Sequence, residues 1–415
     1  MISSKTIKRN ICVMPILFIF SMMFSVTVAG VNTRYAVYMI WLIVSLLRQP
    51  RLTINNKIML FPITLLILIL YTTFIMSVNN TDNTFEVMRF CRGLLTYLII
   101  FIFISSGKYN KQQIMDSLLI VIWLHSIVII LGVIFPIVKD IVMPISQYSK
   151  EFLSMRSSGF LSGFDDAGFL CNVGLIMDYL RRRSYLSRNV GVTTVIFALA
   201  AALTSRFNML CMAMIILYIM IKELRSGGIA SKLMITIIGI MALGFGIVFW
   251  ILTTNVNIDL KNQLLADYPA LDALYTTSLG SYTDYGVYNK VIGKHLSLNG
   301  LDIFNIFFGA GYRTGHSDIG YIKTIYSIGI VGILIEIAAY YIAIRNVLNV
   351  STRRKIKNNQ DTLFFVASTL FMFLMEAKNS LIFSSTTFEM MSIIYLCIMI
   401  KTKNINKLKF NTVRN

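Results

Sequence analysis

The sequence predicts an all-α polytopic membrane protein with about twelve transmembrane helices. Three observations carry this. Hydrophobic residues make up 56% of the chain and charged residues 14%, whereas a soluble domain is roughly a quarter charged; mean hydropathy is +0.71. Apolar stretches recur at 11–29, 31–47, 58–77, 88–106, 114–138, 165–180, 189–204, 206–221, 233–253, 319–344, 362–377 and 386–400, most of them near the length a helix needs to cross hydrocarbon. With the N-terminus (Lys5, Lys8, Arg9) in the cytoplasm, 25 of the 38 Lys and Arg fall in inner segments, the bias the positive-inside rule requires. Removing one span scrambles that bias, so both termini are expected inside.

Taken in order, the first stretch has a basic start and an apolar run, and Thr27-Val28-Ala29 faintly resembles a signal cleavage site. The run is long for a signal peptide and further spans follow, which predicts a retained first helix. Arg48, Arg51 and Lys57 mark the next inner loop, Lys108 and Lys111 another, and Arg181-Arg182-Arg183 a third. Cys12, Cys171, Cys211 and Cys397 fall within spans and Cys91 near an outer end. They form no disulfide framework and no C-x-x-C pattern, and read as packing residues.

Within the single membrane domain 1–415, two outer segments are long: 139–164, and 255–318 between the ninth and tenth spans. The larger mixes apolar and polar residues (LLADYPALDALY, YNKVIGKHL), as ordered structure lying on a membrane does. A formal charge of +19 raises nucleic acid as a partner. The charge lies in short loops between apolar spans, without interleaved aromatics, which fits orientation and anionic headgroups instead.

The outer polar residues are the candidate chemistry. Phe307 to Leu334 crowds Arg313, His316 and Asp318 onto the threshold of a long apolar helix, behind Gly309 and Gly311. Those glycines allow a tight turn or a close backbone approach. An unperturbed imidazole titrates near neutrality, so a residue such as His316 can take a proton from a hydroxyl nucleophile; Asp318 can orient it or take its role. Arg156 precedes small residues, and Arg206 sits in a very short turn that either holds a guanidinium toward the bundle or only orients the hairpin. Arg89 and Arg92, one turn apart, either face a common vestibule or snorkel. Mid-span His125 reads as a helix-to-helix hydrogen bond. Glu336 and Glu376 are the intramembrane carboxylates a proton-coupled carrier uses. No outer Asp-x-Asp and no His cluster occurs; Asp165-Asp166 alone is weak for a cation, so neither metal nor cofactor is expected.

Thr204-Ser205-Arg206 between two spans, Arg156 in the earlier loop, and Phe308-Gly309-Ala310-Gly311-Tyr312 leading through His316-Ser317-Asp318 to Gly320-Tyr321, Gly329 and Gly332 together resemble the Wzy-type polymerases of the O-antigen polymerase and ligase superfamily. The resemblance implies a bundle similar to the C-type glycosyltransferase fold in the bacterial inner membrane. Residues 139–164 and 255–318 are then periplasmic loops. It further implies an inverting, metal-independent enzyme of lipopolysaccharide biosynthesis. Such an enzyme moves a growing glycan from undecaprenyl diphosphate to the non-reducing end of a lipid-linked repeat unit. Arg156, Arg206 and Arg313, helped by Lys290 or Lys294 and by Arg89 and Arg92, are the expected diphosphate and glycan contacts, and a chain-length regulator is an expected partner. Many relatives carry another arginine in the large loop, where this chain has none between Arg225 and Arg313. Lys290 stands in without a planar fork. The alternatives are a ligase to lipid A-core, which differs only in acceptor, and a lipid-linked oligosaccharide flippase or other transporter.

Overall fold

The computed structural model describes residues 12–24, 27–28, 31–47, 56–135, 137–138, 140–142, 157–184, 192–224, 296, 298, 300–314, 317, 319–353 and 360–400. The helices are α1 (Val13–Met23), α2 (Arg34–Leu47), α3 (Leu60–Val78), α4 (Phe85–Ser105), α5 (Lys111–Ile134), α6 (Phe164–Ser184), α7 (Val192–Ala202), α8 (Arg206–Leu224), α9 (Ile303–Phe308), α10 (Gly320–Arg353), α11 (Gln360–Met375) and α12 (Ser385–Met399). Eleven of the twelve apolar stretches coincide with a helix; 233–253 lies outside the described residues. Among the described residues the only strands form a short hairpin, β1 (Thr27–Val28) on β2 (Val31–Asn32). Four helices, Leu60–Val78, Phe85–Ser105, Lys111–Ile134 and Gly320–Thr352, are long and apolar enough to cross a membrane. The chain is an all-α membrane-embedded protein.

Side-chain distribution follows from that solvent. On α3, Phe61, Leu65, Leu68 and Ile75 are buried while Ile63, Leu66, Leu70 and Phe74 are exposed, so both faces are apolar, as a helix between protein and hydrocarbon must be. Polar groups on such helices satisfy themselves locally: Thr64 and Thr72 donate to the carbonyls four residues back, at 2.9 and 2.7 Å. Phe61 sits at the centre of the packing, edge-on to Tyr340, Tyr395 and Phe388 at 5.2–5.6 Å between centroids.

Boundaries moved where hydropathy ignores local chemistry. The first stretch stops being helical at Met23, because Phe24 is extended and the hairpin follows. α5 starts three residues before its apolar run, where Asn110 and Gln113 form a reciprocal capping box. α10 continues past Arg345 to Arg353, where Val347 packs into the core and tertiary packing overrides the modest helix propensity of Asn, Val, Ser and Thr.

The two ends of the bundle differ. At one, the start of α5, the start of α11 and the end of α6 meet through Lys111–Asp361 and Arg181–Asp116, both at 2.6 Å. The other end collects the starts of α4 and α6, the segment before α10 and the α11–α12 connection.

At that second end α10 is broken. Its 34 residues would run about 51 Å as one rod, but Gly329 is non-helical at φ 67° and ψ −175°. The break frees the carbonyls of Tyr326 and Ser327, which in apolar surroundings need donors. Ala310 N–H and Gly311 N–H supply them at 2.8 and 3.2 Å. The chain following α9 is thereby stitched onto α10 backbone to backbone, and Tyr71 Oη and Asn79 Nδ2 hold it to α3 through Phe308 O and Gly309 O. The close approach that Gly309 allows is thus to the protein's own helix.

A Cβ on Gly329 would lie 2.4 Å from Phe307 O, and one on Gly309 2.7 Å from Ile328 backbone, with both φ angles positive. Gly329→Ala and Gly309→Ala are each expected to lower the thermal midpoint in detergent, at a cost of about 2 kcal/mol or more. Gly93→Ala, where the new methyl meets only ordinary contacts from 3.5 Å, is the tolerated control. Equal midpoints for all three would contradict the stitched break.

Candidate functional site

The second end of the bundle contains a buried charge cluster built from four parts of the chain. Glu86 lies in the first turn of α4, and Arg89 three residues on; the helical period puts both on one face. Glu86 Oε2 meets Arg89 Nε at 2.6 Å, with side chains 1% and 3% exposed. Arg89 Nη1 donates to Ile382 O at 3.0 Å, and its Nη2 lies 3.6 Å from Glu336 of α10. The guanidinium also stacks on Phe90, 4.6 Å from the ring centroid. All three nitrogens of Arg89 therefore face protein.

Arg313 completes the cluster from the stitched segment. Its Nε donates to Glu86 Oε1 and its Nη2 to Ser380 Oγ at 2.9 Å. Its carbon plane lies over Phe85, 5.1 Å away. Among the described residues these partners occupy the Nε–Nη2 edge, and the side chain stays 23% exposed. Removal from water and the nearby positive charge of Arg89 push the Arg313 guanidinium below its ordinary range, against Glu86, which opposes the shift.

Glu376, at the end of α11, ties the α11–α12 connection by accepting Leu381 N–H at 2.6 Å and Ile382 N–H at 2.9 Å. Its other oxygen packs where a Cβ on Gly320 would be 2.5 Å away. Asp166 of α6 feels the charges of Asp165, Glu376, Lys323 and Arg313, which places it beside this cluster. Asn208, which sequence reasoning did not single out, donates to Asp165 O and Ser205 Oγ at 3.2 and 2.9 Å. It joins the Thr204-Ser205 turn to the start of α6.

Of the sequence-derived candidates, Arg313 and Arg89 come together. Arg92 does not join them. Arg89 pairs with Glu86 and Glu336, whereas Arg92 takes no part in those ion pairs. Arg92 is half-buried and acts electrostatically on Glu389, as does Arg34, while Tyr38 donates to Glu389 at 2.8 Å. Arg206 opens α8, with its side chain outside the described residues. Arg156, Lys290, His316 and Asp318 also lie outside them. The small residues after Arg156 pack against α5: a Cβ on Gly159 would sit 2.8 Å from His125, and one on Gly132 2.8 Å from Ser157. His125 accepts Phe160 N–H on Nδ1 at 3.3 Å, so its partner is this loop and not a second helix.

All five cysteines are free thiols, and among the described residues no group of three His, Cys, Asp or Glu could hold a metal ion. Comparison with family models, with curated proteins and with solved structures returns no match. Chemically the cluster offers one partly exposed guanidinium held by Glu86 and Ser380, in a setting where charge–charge interactions are stronger than in water.

Removing one member of a buried pair strands the other at a cost of roughly 3–5 kcal/mol. Arg89→Met is therefore expected to reduce the amount of monodisperse protein recovered from membranes several-fold. Adding Glu336→Gln to Arg89→Met should restore most of it, because Glu86 keeps Arg313 and no carboxylate then lacks its cation. Size-exclusion profiles of tagged protein measure both; a single variant that behaves as wild type would contradict the pairing.

Proposed function

We propose that this chain is a Wzy-type O-antigen polymerase of the bacterial inner membrane, with about twelve spans, both termini cytoplasmic and a bundle resembling the C-type glycosyltransferases. The observation that carries the reading is Arg313. It is the arginine of the motif segment, it is held by Glu86 and Ser380, and it lies three residues before His316 and five before Asp318 in the chain.

In this reading the donor is a glycan on undecaprenyl diphosphate and the acceptor is the non-reducing-end hydroxyl of a second lipid-linked repeat unit. The acceptor oxygen attacks the anomeric carbon from the face opposite the diphosphate, inverting it. The bond from that carbon to the diphosphate oxygen breaks, and the electron pair leaves with undecaprenyl diphosphate. His316, oriented by Asp318, takes the hydroxyl proton. Negative charge on the leaving oxygen grows through the step, so a fixed guanidinium aimed at it binds the transition state more tightly than the ground state. Arg156, Arg206 and Lys290 supply further positive charge. The pairing of Glu336 with Arg89 and of Glu376 with backbone N–H groups favours this reading over a carrier, whose carboxylates must be exposed to a pathway in turn.

A glycan gel of cells lacking the gene tests it. A single repeat unit on the lipid core is the expected result. Bare core with periplasmic undecaprenyl-linked polymer would instead mean a ligase, and bare core with cytoplasmic-face precursor a flippase. In complemented cells, His316→Ala should remove all extension while the protein inserts normally. Arg313→Lys should also leave almost none, because an ammonium cannot hold Glu86, Ser380 and an anion in one plane; long polymer from that variant would reduce Arg313 to bulk charge. Cysteine-accessibility labelling should find Ser154→Cys and Ser317→Cys outside and Ser184→Cys inside; the reverse would overturn the topology.

A further inference from the structure

We propose that Glu86 is the positioning residue of the anion site: one buried carboxylate bridges Arg89 and Arg313 and thereby fixes the direction of the Arg313 guanidinium. This rests on the polymerase reading for its ligand, and on the geometry for everything else.

Glu86 is 1% exposed, with one oxygen on each arginine. Arg89 is anchored on its far side by Ile382 O and Glu336, so the carboxylate between the two arginines has little freedom. A guanidinium has two hydrogen-bonding edges in one plane. Glu86 and Ser380 take the Nε–Nη2 edge of Arg313, and Phe85 supports its face. Its Nη1 takes neither of these contacts and is the nitrogen left to meet an oxygen of a phosphate. Without Glu86, Arg313 keeps its charge but loses one of the contacts that define its plane. Glu86 also cancels part of the positive charge of two adjacent arginines, which would otherwise repel each other in a low-dielectric interior. It does so without touching the ligand, through Arg313.

The test uses full-length protein in nanodiscs, with two readouts: the affinity for undecaprenyl diphosphate, and the rate of glycan extension on a lipid-linked repeat unit. Glu86→Gln, which keeps the shape and removes the charge, is expected to weaken undecaprenyl diphosphate binding about tenfold and slow extension about a hundredfold. Glu86→Asp, which keeps the charge but cannot reach both arginines, should be nearly as impaired. The double variant Glu86→Gln, Arg313→Lys should be no worse than Arg313→Lys alone, because Glu86 acts through Arg313. The proposal is overturned by unchanged binding in Glu86→Gln, by full rescue in Glu86→Asp, or by losses that multiply in the double variant. In Glu86→Gln, Arg89 keeps Glu336 and Ile382 O and Arg313 is partly exposed, so the variant is expected to assemble; failure to assemble would make Glu86 a residue of the fold alone and equally overturns the proposal. Wild-type protein that binds undecaprenyl diphosphate but never extends a glycan would refute the polymerase reading, while the binding readout would still decide the role of Glu86. Wild-type protein that does not bind it would overturn both.

Discussion

One carboxylate shared by two arginines, inside a largely apolar bundle, is the constraint around which the second end of this molecule is organised. Glu86 holds Arg89 and Arg313, and through them α4 contacts the stitched segment before α10, α10 itself at Glu336, and the α11–α12 connection at Ser380 and Ile382. Elements hundreds of residues apart in sequence are thereby fixed at one point. The interior leaves such groups few alternatives, since an unpaired charge there costs several kcal/mol. Pairing of this kind specifies an arrangement more than it stabilises one.

The backbone at this end obeys the same requirement. A helix that breaks in apolar surroundings must find donors for the carbonyls it frees, and the segment after α9 provides them to Tyr326 and Ser327. The glycines at 309 and 329 are there because two backbones cross at a distance no Cβ tolerates. Since Arg313 follows directly, the crossing sets where the guanidinium starts, and Glu86 and Ser380 set where it ends. Position and direction are fixed by different interactions.

Much of the fold was legible because hydrocarbon imposes a strong, simple signal: eleven of the apolar stretches coincide with helices. What hydropathy averages away was missed. The capping box at Asn110 and Gln113 and the early stop of α1 at Met23 are decided by single side chains and backbone angles. The site was legible only in part. Arg313 was visible as a cation beside a glycine pair, but Glu86 was not, because the fourth stretch was drawn from residue 88. An acidic residue three positions before an arginine at the mouth of an apolar helix was the available signal. Glu336 was read as a carrier's carboxylate because its partner, Arg89, lies about 250 residues away in sequence. Asn208 carries no sequence signature at all.

The central claim is that Glu86 joins both arginines at once, and a side-chain-resolution cryo-electron microscopy map of the full-length protein in a lipid nanodisc tests it most directly. The account predicts continuous density from Arg89 through the Glu86 carboxylate to Arg313, with Ser380 against the far nitrogen. Arg313 turned away from α4, with Glu86 on Arg89 alone, would contradict it.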